Sequence, residues 1–158
     1  MPIEPSEFRR ILGHWITGVA IVASRTADDE PCGFTANAFT SLSLEPPLVL
    51  VCVDRAGNSH ASIRDAGVFT VNVLGSGDER LARHFATDSA AKFTGIAWTT
   101  AATGAPVLEA ALAWVDCTVR TEVPGGDHTI FIGEVVDGDA DEGEPLIFYR
   151  GGYGRFAP

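Results

Sequence analysis

The stretch Gly33-Phe-Thr-Ala-Asn-Ala-Phe-Thr-Ser-Leu-Ser-Leu-Glu-Pro-Pro-Leu-Val-Leu-Val-Cys-Val-Asp54 runs from a hydroxyl-rich segment straight into an uninterrupted apolar one. Thr35, Asn37, Thr40, Ser41 and Ser43 set neutral hydrogen-bonding groups beside apolar neighbours. Pro46 and Pro47 fix φ and remove two backbone donors, so the chain must run extended into the next segment and cannot form a helix there. Leu48 to Val53 is continuously apolar and rich in β-branched residues, which predicts a strand buried on both faces, as in a small barrel. Neutral donors and acceptors against apolar walls suit a large flat heterocycle with a polar edge. On the residues alone, an edge strand whose Thr and Ser face water is the simpler reading.

Outward from this stretch the period of the apolar residues changes. Phe8, Ile11, Leu12, Trp15 and Ile16 have the spacing of one helical face, with Ser6 placed as N-cap and Gly18 ending the pattern. Val19 to Ser24 predicts a strand, as do Val68 to Leu74, Ala97 to Thr100, Leu112 to Val123, His128 to Val136 and Leu146 to Tyr149. Pro124 to Asp127 reads as a turn between two of these. Short helices are expected over Ser59–Asp65, stopped by Gly67, and over Asp78–Phe85. The segments around Gly95 and Gly104 give no clear pattern. About seven strands and three helices without β-α-β alternation predict a mainly β fold. The expected architecture is a closed or nearly closed antiparallel barrel with peripheral helices, one domain over residues 1–158.

Composition narrows the function. The 158 residues carry 11 basic and 21 acidic side chains, a formal charge of −10 and a pI near 4.6. Such a chain is poorly suited to nucleic acid or anionic membrane, both of which demand cationic surface. With 46% hydrophobic and 20% charged residues the chain has ample material for a core, which excludes intrinsic disorder. A mean hydropathy of +0.14 is high for this size and predicts apolar surface covered by another subunit or by a cofactor. Cys32, Cys52 and Cys117 are an odd number without a C-x-x-C pair, so neither a disulfide scaffold nor a thiolate metal site is expected. No secretory signal is apparent and the longest apolar run is too short for a bilayer, so a cytoplasmic protein is expected. Phosphate-loop, dinucleotide-fingerprint and nucleophile-elbow motifs are absent. The four histidines are widely spaced, and the acidic clusters at Asp28–Glu30 and Asp139–Glu144 read as solvated loops. Enzymatic chemistry in such a chain would come from a bound cofactor.

Seven segments in order resemble the flavin reductase family, the short-chain NAD(P)H:flavin oxidoreductases. They are Gly18-Val-Ala-Ile-Val-Ala23, the stretch Gly33 to Asp54, Asn58-Ser-His-Ala-Ser62, Phe69-Thr-Val-Asn-Val-Leu74, Leu81-Ala-Arg-His-Phe-Ala86, Gly126-Asp-His-Thr-Ile-Phe-Ile-Gly-Glu134 and Pro145-Leu-Ile-Phe-Tyr-Arg-Gly-Gly-Tyr153. The resemblance extends from about Phe8 to Phe156. It implies a six-stranded antiparallel split β-barrel of the FMN-binding kind, and a homodimer with flavin near the subunit interface. It also implies transfer of hydride from NADH or NADPH to FMN or FAD, and delivery of reduced flavin to a separate monooxygenase component.

The same resemblance implies roles for particular residues. Thr35, Ala36, Asn37 and Ala38 would lie along the isoalloxazine, with Ser41 beside them; the family often has Ser where Ala38 stands, so a backbone group must serve there. Cys52, Val53 and Asp54 would run past the ribityl chain, Cys52 as a packed apolar residue and not a redox thiol. Asn58 and Ser59 would bind the flavin phosphate or cap the following helix, roles that are compatible. Lys92, with Arg55 and Arg83, would supply local positive charge. His84 and Phe85 would reach the flavin or form the apolar side of a short helix. His128 would position the nicotinamide, since hydride transfer needs no general base. Tyr149, Gly152 and Tyr153 would pack on the nicotinamide nucleotide or simply end a strand in aromatics. No arginine grouping for a 2′-phosphate is evident, which favours NADH. Two rivals stay open: a flavin-binding electron-transfer protein that does not use NAD(P)H directly, and a small barrel without cofactor that serves as an interaction module.

Overall fold

Small and β-branched residues at two-residue spacing let the strand Ala20–Arg25 bury both of its faces. The structure, a computed structural model describing residues 1–158, shows why. In chain order the elements are α1 (Pro5–Leu12), β1 (Thr17–Gly18), β2 (Ala20–Arg25), β3 (Pro31–Ala36), β4 (Phe39–Leu44), β5 (Pro47–Asp54), α2 (His60–Ala66), β6 (Val68–Val73), α3 (Glu79–Phe85), β7 (Trp98–Thr100), β8 (Pro106–Leu108), β9 (Ala113–Gly125), β10 (His128–Ala140), β11 (Leu146–Tyr149) and β12 (Gly152–Arg155). On β2, Ala20 and Val22 join a core with Val51, Val71, Phe69 and Phe131. Ile21, beside Val19, joins a second core with Leu74, Phe85, Leu108 and Leu146.

The main sheet is antiparallel, in the order β3-β2-β6-β9-β10-β5-β4. Its two edge strands, β3 and β4, are consecutive in sequence and separated only by Asn37 and Ala38. Three peptide units reach about 11 Å at most, so the sheet must roll until its edges nearly meet. No ladder joins β3 to β4. The fold is mainly β, as expected, and its main sheet is a roll of seven hydrogen-bonded strands, not six, that does not close by hydrogen bonds. The reason is local: the segment Phe34–Thr40 is broken at Asn37-Ala38 and gives one strand to each edge.

Other expectations shift for equally physical reasons. β5 is not buried on both faces. Val49, Val51 and Val53 enter the core, while Leu48, Leu50 and Cys52 stay half-exposed because nothing in the chain packs over them. α1 begins at Pro5 after Glu4, not at a Ser6 cap, and ends at Gly13, well short of Gly18. None of its residues is buried, despite the apolar face. The three residues of β8 are fully sequestered. Asn72 explains this: its Nδ2 donates to the Ile21 carbonyl at 3.0 Å and its Oδ1 accepts the Leu108 amide at 2.9 Å, while Thr70 Oγ1 donates to the Pro106 carbonyl. Gly133 lies where a Cβ would meet the Phe69 ring at 2.6 Å, so only glycine lets the two strands carry that ring between them.

Two tight hairpins position the remaining elements. β9 turns into β10 through Gly126 and Asp127, with Gly126 at φ +66°. β11 turns into β12 through Arg150 and Gly151, both at positive φ (+50° and +78°), as a two-residue turn matched to strand twist requires. β11 and β12 form a separate three-stranded sheet with β1, and β7 pairs with β8. No helix is long and apolar enough to cross a membrane.

Candidate functional site

A cleft of about 590 Å³ opens where the β3–β4 bend faces β5. Ala36, Asn37, Ala38 and Thr40 line one side, Leu50 and Cys52 another, and the segment from Trp15 to Ala20 a third. The bend is pinned by the Cys52 amide, which donates to the Ala38 carbonyl at 3.0 Å. The walls are mostly apolar, and the cleft holds no charged side chain. Thr17 is the exception to an otherwise well-paired interior. Its Oγ1 is the one buried side-chain polar atom with no hydrogen-bond partner. Leaving such a group unpaired costs about 1–3 kcal/mol, so a ligand with a polar edge fits this cleft better than solvent-free closure does. Nothing in the sequence marked Thr17, because its isolation depends on what surrounds it in space.

Neighbouring residues of the same two strands line a second, polar groove of about 230 Å³. Thr35 and Phe34 of β3, Val53 and Asp54 of β5, Asn58, Ser59, Phe85 and Lys92 border it. The structure thus brings together eleven of the expected flavin residues around two adjoining spaces, Ala36, Asn37, Ala38 and Cys52 at the cleft and Thr35, Val53, Asp54, Asn58, Ser59, Phe85 and Lys92 at the groove. Thr35 Oγ1 donates to the Ala82 carbonyl at 2.5 Å and so ties β3 to α3. Lys92 Nζ donates to the carbonyls of Gly33 and Phe85 at 3.0 and 3.1 Å, which leaves one ammonium proton for a ligand. Its partial burial pulls its pKa below the ordinary lysine value. Ser59 sits at the head of α2 but its hydroxyl makes no capping bond.

Other expected residues lie elsewhere. Ser41 is exposed on β4, outside the cleft. His84 points to the Lys92 carbonyl, donating through Nε2 at 2.6 Å. The Phe85 side chain is wholly in the second core, and its backbone carbonyl serves Lys92. Arg83 is paired with Glu79 at 2.8 Å and stands 5.0 Å above the Tyr153 ring, away from the groove. Tyr153 packs on Phe148, and Tyr149 is edge-on to His14; neither they nor Gly152 line the cleft.

His128 opens β10 directly opposite Asp54, a residue of the groove, but itself lines neither the groove nor the cleft. Its Nδ1 lies 2.7 Å from Asp127, whose carboxyl this contact holds below the usual range. Behind it, Thr129 Oγ1 is 2.8 Å from His60 Nε2 and 3.4 Å from Arg55 Nε. His60 is buried against Phe131, and desolvation together with nearby Arg64 lowers its pKa. The segment Asn58 to Ser62 was marked in the sequence, but His60 within it was not.

Residues 12–157 match the family model described as "Flavin reductase like domain". The chain belongs to the flavin reductase family. It is similar to the reductase component of a 4-nitrophenol 4-monooxygenase/4-nitrocatechol 2-monooxygenase of Rhodococcus opacus, 44% identical over 99% of this chain and 84% of that protein. An NADH-dependent flavin reductase of a Rhodococcus species is 39% identical over 96% of this chain and 86% of its own. Among solved structures, the NADH:FAD oxidoreductase SgcE6 of Streptomyces globisporus, in complex with NAD and FAD fragments, superposes with a TM-score of 0.92 at 39% identity. That superposition covers 100% of this flavin reductase and 98% of the Streptomyces chain.

Proposed function

We propose that this flavin reductase passes hydride from NADH to FMN or FAD and supplies the reduced flavin to a separate monooxygenase component. The observation that carries this reading is the charge-free apolar cleft with the unpaired Thr17 hydroxyl at its wall and a polar groove adjoining it. Relatives described as NADH-dependent reductases and as monooxygenase reductase components supply the chemistry and the direction of delivery. The flavin, when bound, provides the hydride acceptor.

The chain's own residues bind, orient and exclude water. Ala36, Asn37, Ala38 and Cys52 bear on the ring, and Thr17 and the backbone at Ala38 offer hydrogen bonds to its polar edge. Fixed neutral donors at that edge stabilise negative charge as it develops and need no reorganisation. Thr35, Val53 and Asp54 line the way to Asn58, Ser59 and the free proton of Lys92, which would hold the phosphate. A single cation already bonded to two carbonyls makes that hold modest, which suits a flavin that must leave. His128, paired with Asp54 across β10 and β5, would act as a positioning residue for the nicotinamide. In this reading residues 1–158 are one domain, a split barrel in which the bent β3–β4 segment acts as a single stave. The chain works as a homodimer, because Ile11 of α1 and Leu42 and Leu44 of β4 have no cover within it.

Anaerobic stopped-flow absorbance with FMN or FAD tests the function. Rapid, saturable bleaching by NADH is expected. Flavin that binds but stays yellow on NADH addition would overturn the reductase reading in favour of electron transfer from a protein partner.

A further inference from the structure

A third recess, of about 550 Å³, lies beside the cleft and shares Trp15 and Asn37 with it. Its rim gathers Arg9 and Arg10 of α1 and Arg150 of the β11–β12 turn, with Phe8 and Phe148 among its apolar walls. No Asp or Glu lines it, in a chain whose formal charge is −10. Arg10 is held bidentately by Glu7, at 2.6 and 2.9 Å. Arg9 and Arg150, by contrast, enter none of the ion pairs that occupy most of the other arginines. The sequence showed no such grouping because the residues are some 140 positions apart. They meet because the Arg150 amide donates to the Gly13 carbonyl at 3.0 Å, docking the turn on the end of α1.

Arg150 also holds an uncommon backbone position. At φ +50° it occupies the first central residue of its turn, where Gly, Asn or Asp would avoid the clash of Cβ with the backbone. A long cationic side chain kept in that position, over a recess free of carboxylates, calls for an anionic partner. Aromatic walls with two unpaired guanidinium groups match a base, a ribose and a diphosphate. We propose that this recess binds the adenosine diphosphate end of the hydride donor, with Arg9 and Arg150 on its phosphates. The inference rests on the reductase reading and deepens it. The flavin phosphate goes to the Lys92 groove on one side of the cleft. The donor's nicotinamide then reaches the cleft past Asn37, which borders both spaces, with its tail in the arginine recess.

The test uses the full chain and the variants Arg9→Gln and Arg150→Gly. Glycine suits the positive φ, and residue 9 is exposed on a helix, so both variants fold. Each should raise KM for NADH about tenfold with FMN as acceptor, the loss of one charged hydrogen bond, while the Kd of FMN stays at the wild-type value. Arg120→Gln, which removes a charge paired with Glu134 on the outer sheet, should change neither. ADP should quench Trp15 fluorescence in the wild type and lose that effect in Arg150→Gly. An unchanged KM for NADH in both variants overturns the proposal. So does weaker binding of FAD, with FMN and NADH unaffected, since the recess would then hold the flavin's adenylate. If the wild type does not oxidise NADH at all, the reductase reading fails by itself. ADP quenching then still decides the recess, and its absence overturns it.

Discussion

His60 is the one histidine sealed in the interior, and its environment makes a prediction about pH. Burial and the neighbouring Arg64 lower its pKa from the ordinary 6.5, so the folded chain keeps the ring neutral where the unfolded chain would protonate it. Below about pH 6.5 the unfolded state binds the extra proton, so stability falls as pH drops toward the folded-state value. The lowered pKa values of Glu7 and Asp127 act only further down, in the carboxylate range. The urea midpoint of the wild type should therefore decline between about pH 7 and 5.5, and His60→Gln should lose much of that decline. Equal slopes in the two proteins would show that His60 is not the group responsible. Residues of this kind mark the limit of sequence reading at this scale. Asn37 and its neighbours were legible because polarity and order lie along one strand. Thr17, His60 and Arg150 were not, because what distinguishes each is a partner, or the lack of one, supplied by a distant element.

At the scale of elements, α2 shows what a sequence does specify. Its polar start, apolar Ile63 and terminal Gly67 were read as a short helix, and the structure places Gly67 at φ +68°, the left-handed turn that ends it. A Cβ there meets no neighbour within 4 Å, so the cost of a side chain comes from the backbone alone. Gly67→Ala should destabilise the chain by about 1 kcal/mol in thermal or urea unfolding, and Gly67→Asn by distinctly less. Equal losses would mean that packing, not φ, governs the site. The long hairpin of β9 and β10 was legible for the same reason, a Gly pair between two runs of strand formers. β8 was not. Gly104-Ala-Pro-Val-Leu108 has no strand period, and it is held by Thr70 and Asn72 of a strand some 36 residues earlier. Likewise the hydroxyl-rich stretch from Gly33 carries no mark of a break, and only the roll of the sheet explains why Pro31–Ala36 and Phe39–Leu44 are two strands.

For the whole molecule, the sequence indicated an apolar excess without saying where it lies. The fold localises it. α1 keeps an apolar face but buries none of it, Ile11 is 46% exposed, and Leu44 at the end of edge strand β4 is 96% exposed. An edge strand with unpaired backbone groups and bare leucines is an unstable surface for a solitary chain. Burying one such side chain contributes about 1.5–3 kcal/mol, so a handful across a symmetric interface can offset the entropy of association. A second copy is the simplest cover, since a two-fold axis would place the same face on both partners. Sedimentation should therefore give twice the 16.7 kDa chain mass at micromolar concentration. Ile11→Glu combined with Leu44→Lys should shift it toward the monomer and make the melting temperature depend on concentration. These two residues border neither the cleft nor the arginine recess, so a monomeric variant isolates the effect of assembly. Its FMN affinity should fall, because the half-exposed outer face of β5 beside the cleft would lose the partner that shields it. A wild type that sediments as a monomer would leave the apolar face to the monooxygenase component instead, and titrating that component would then restore the flavin affinity that a second copy was expected to provide.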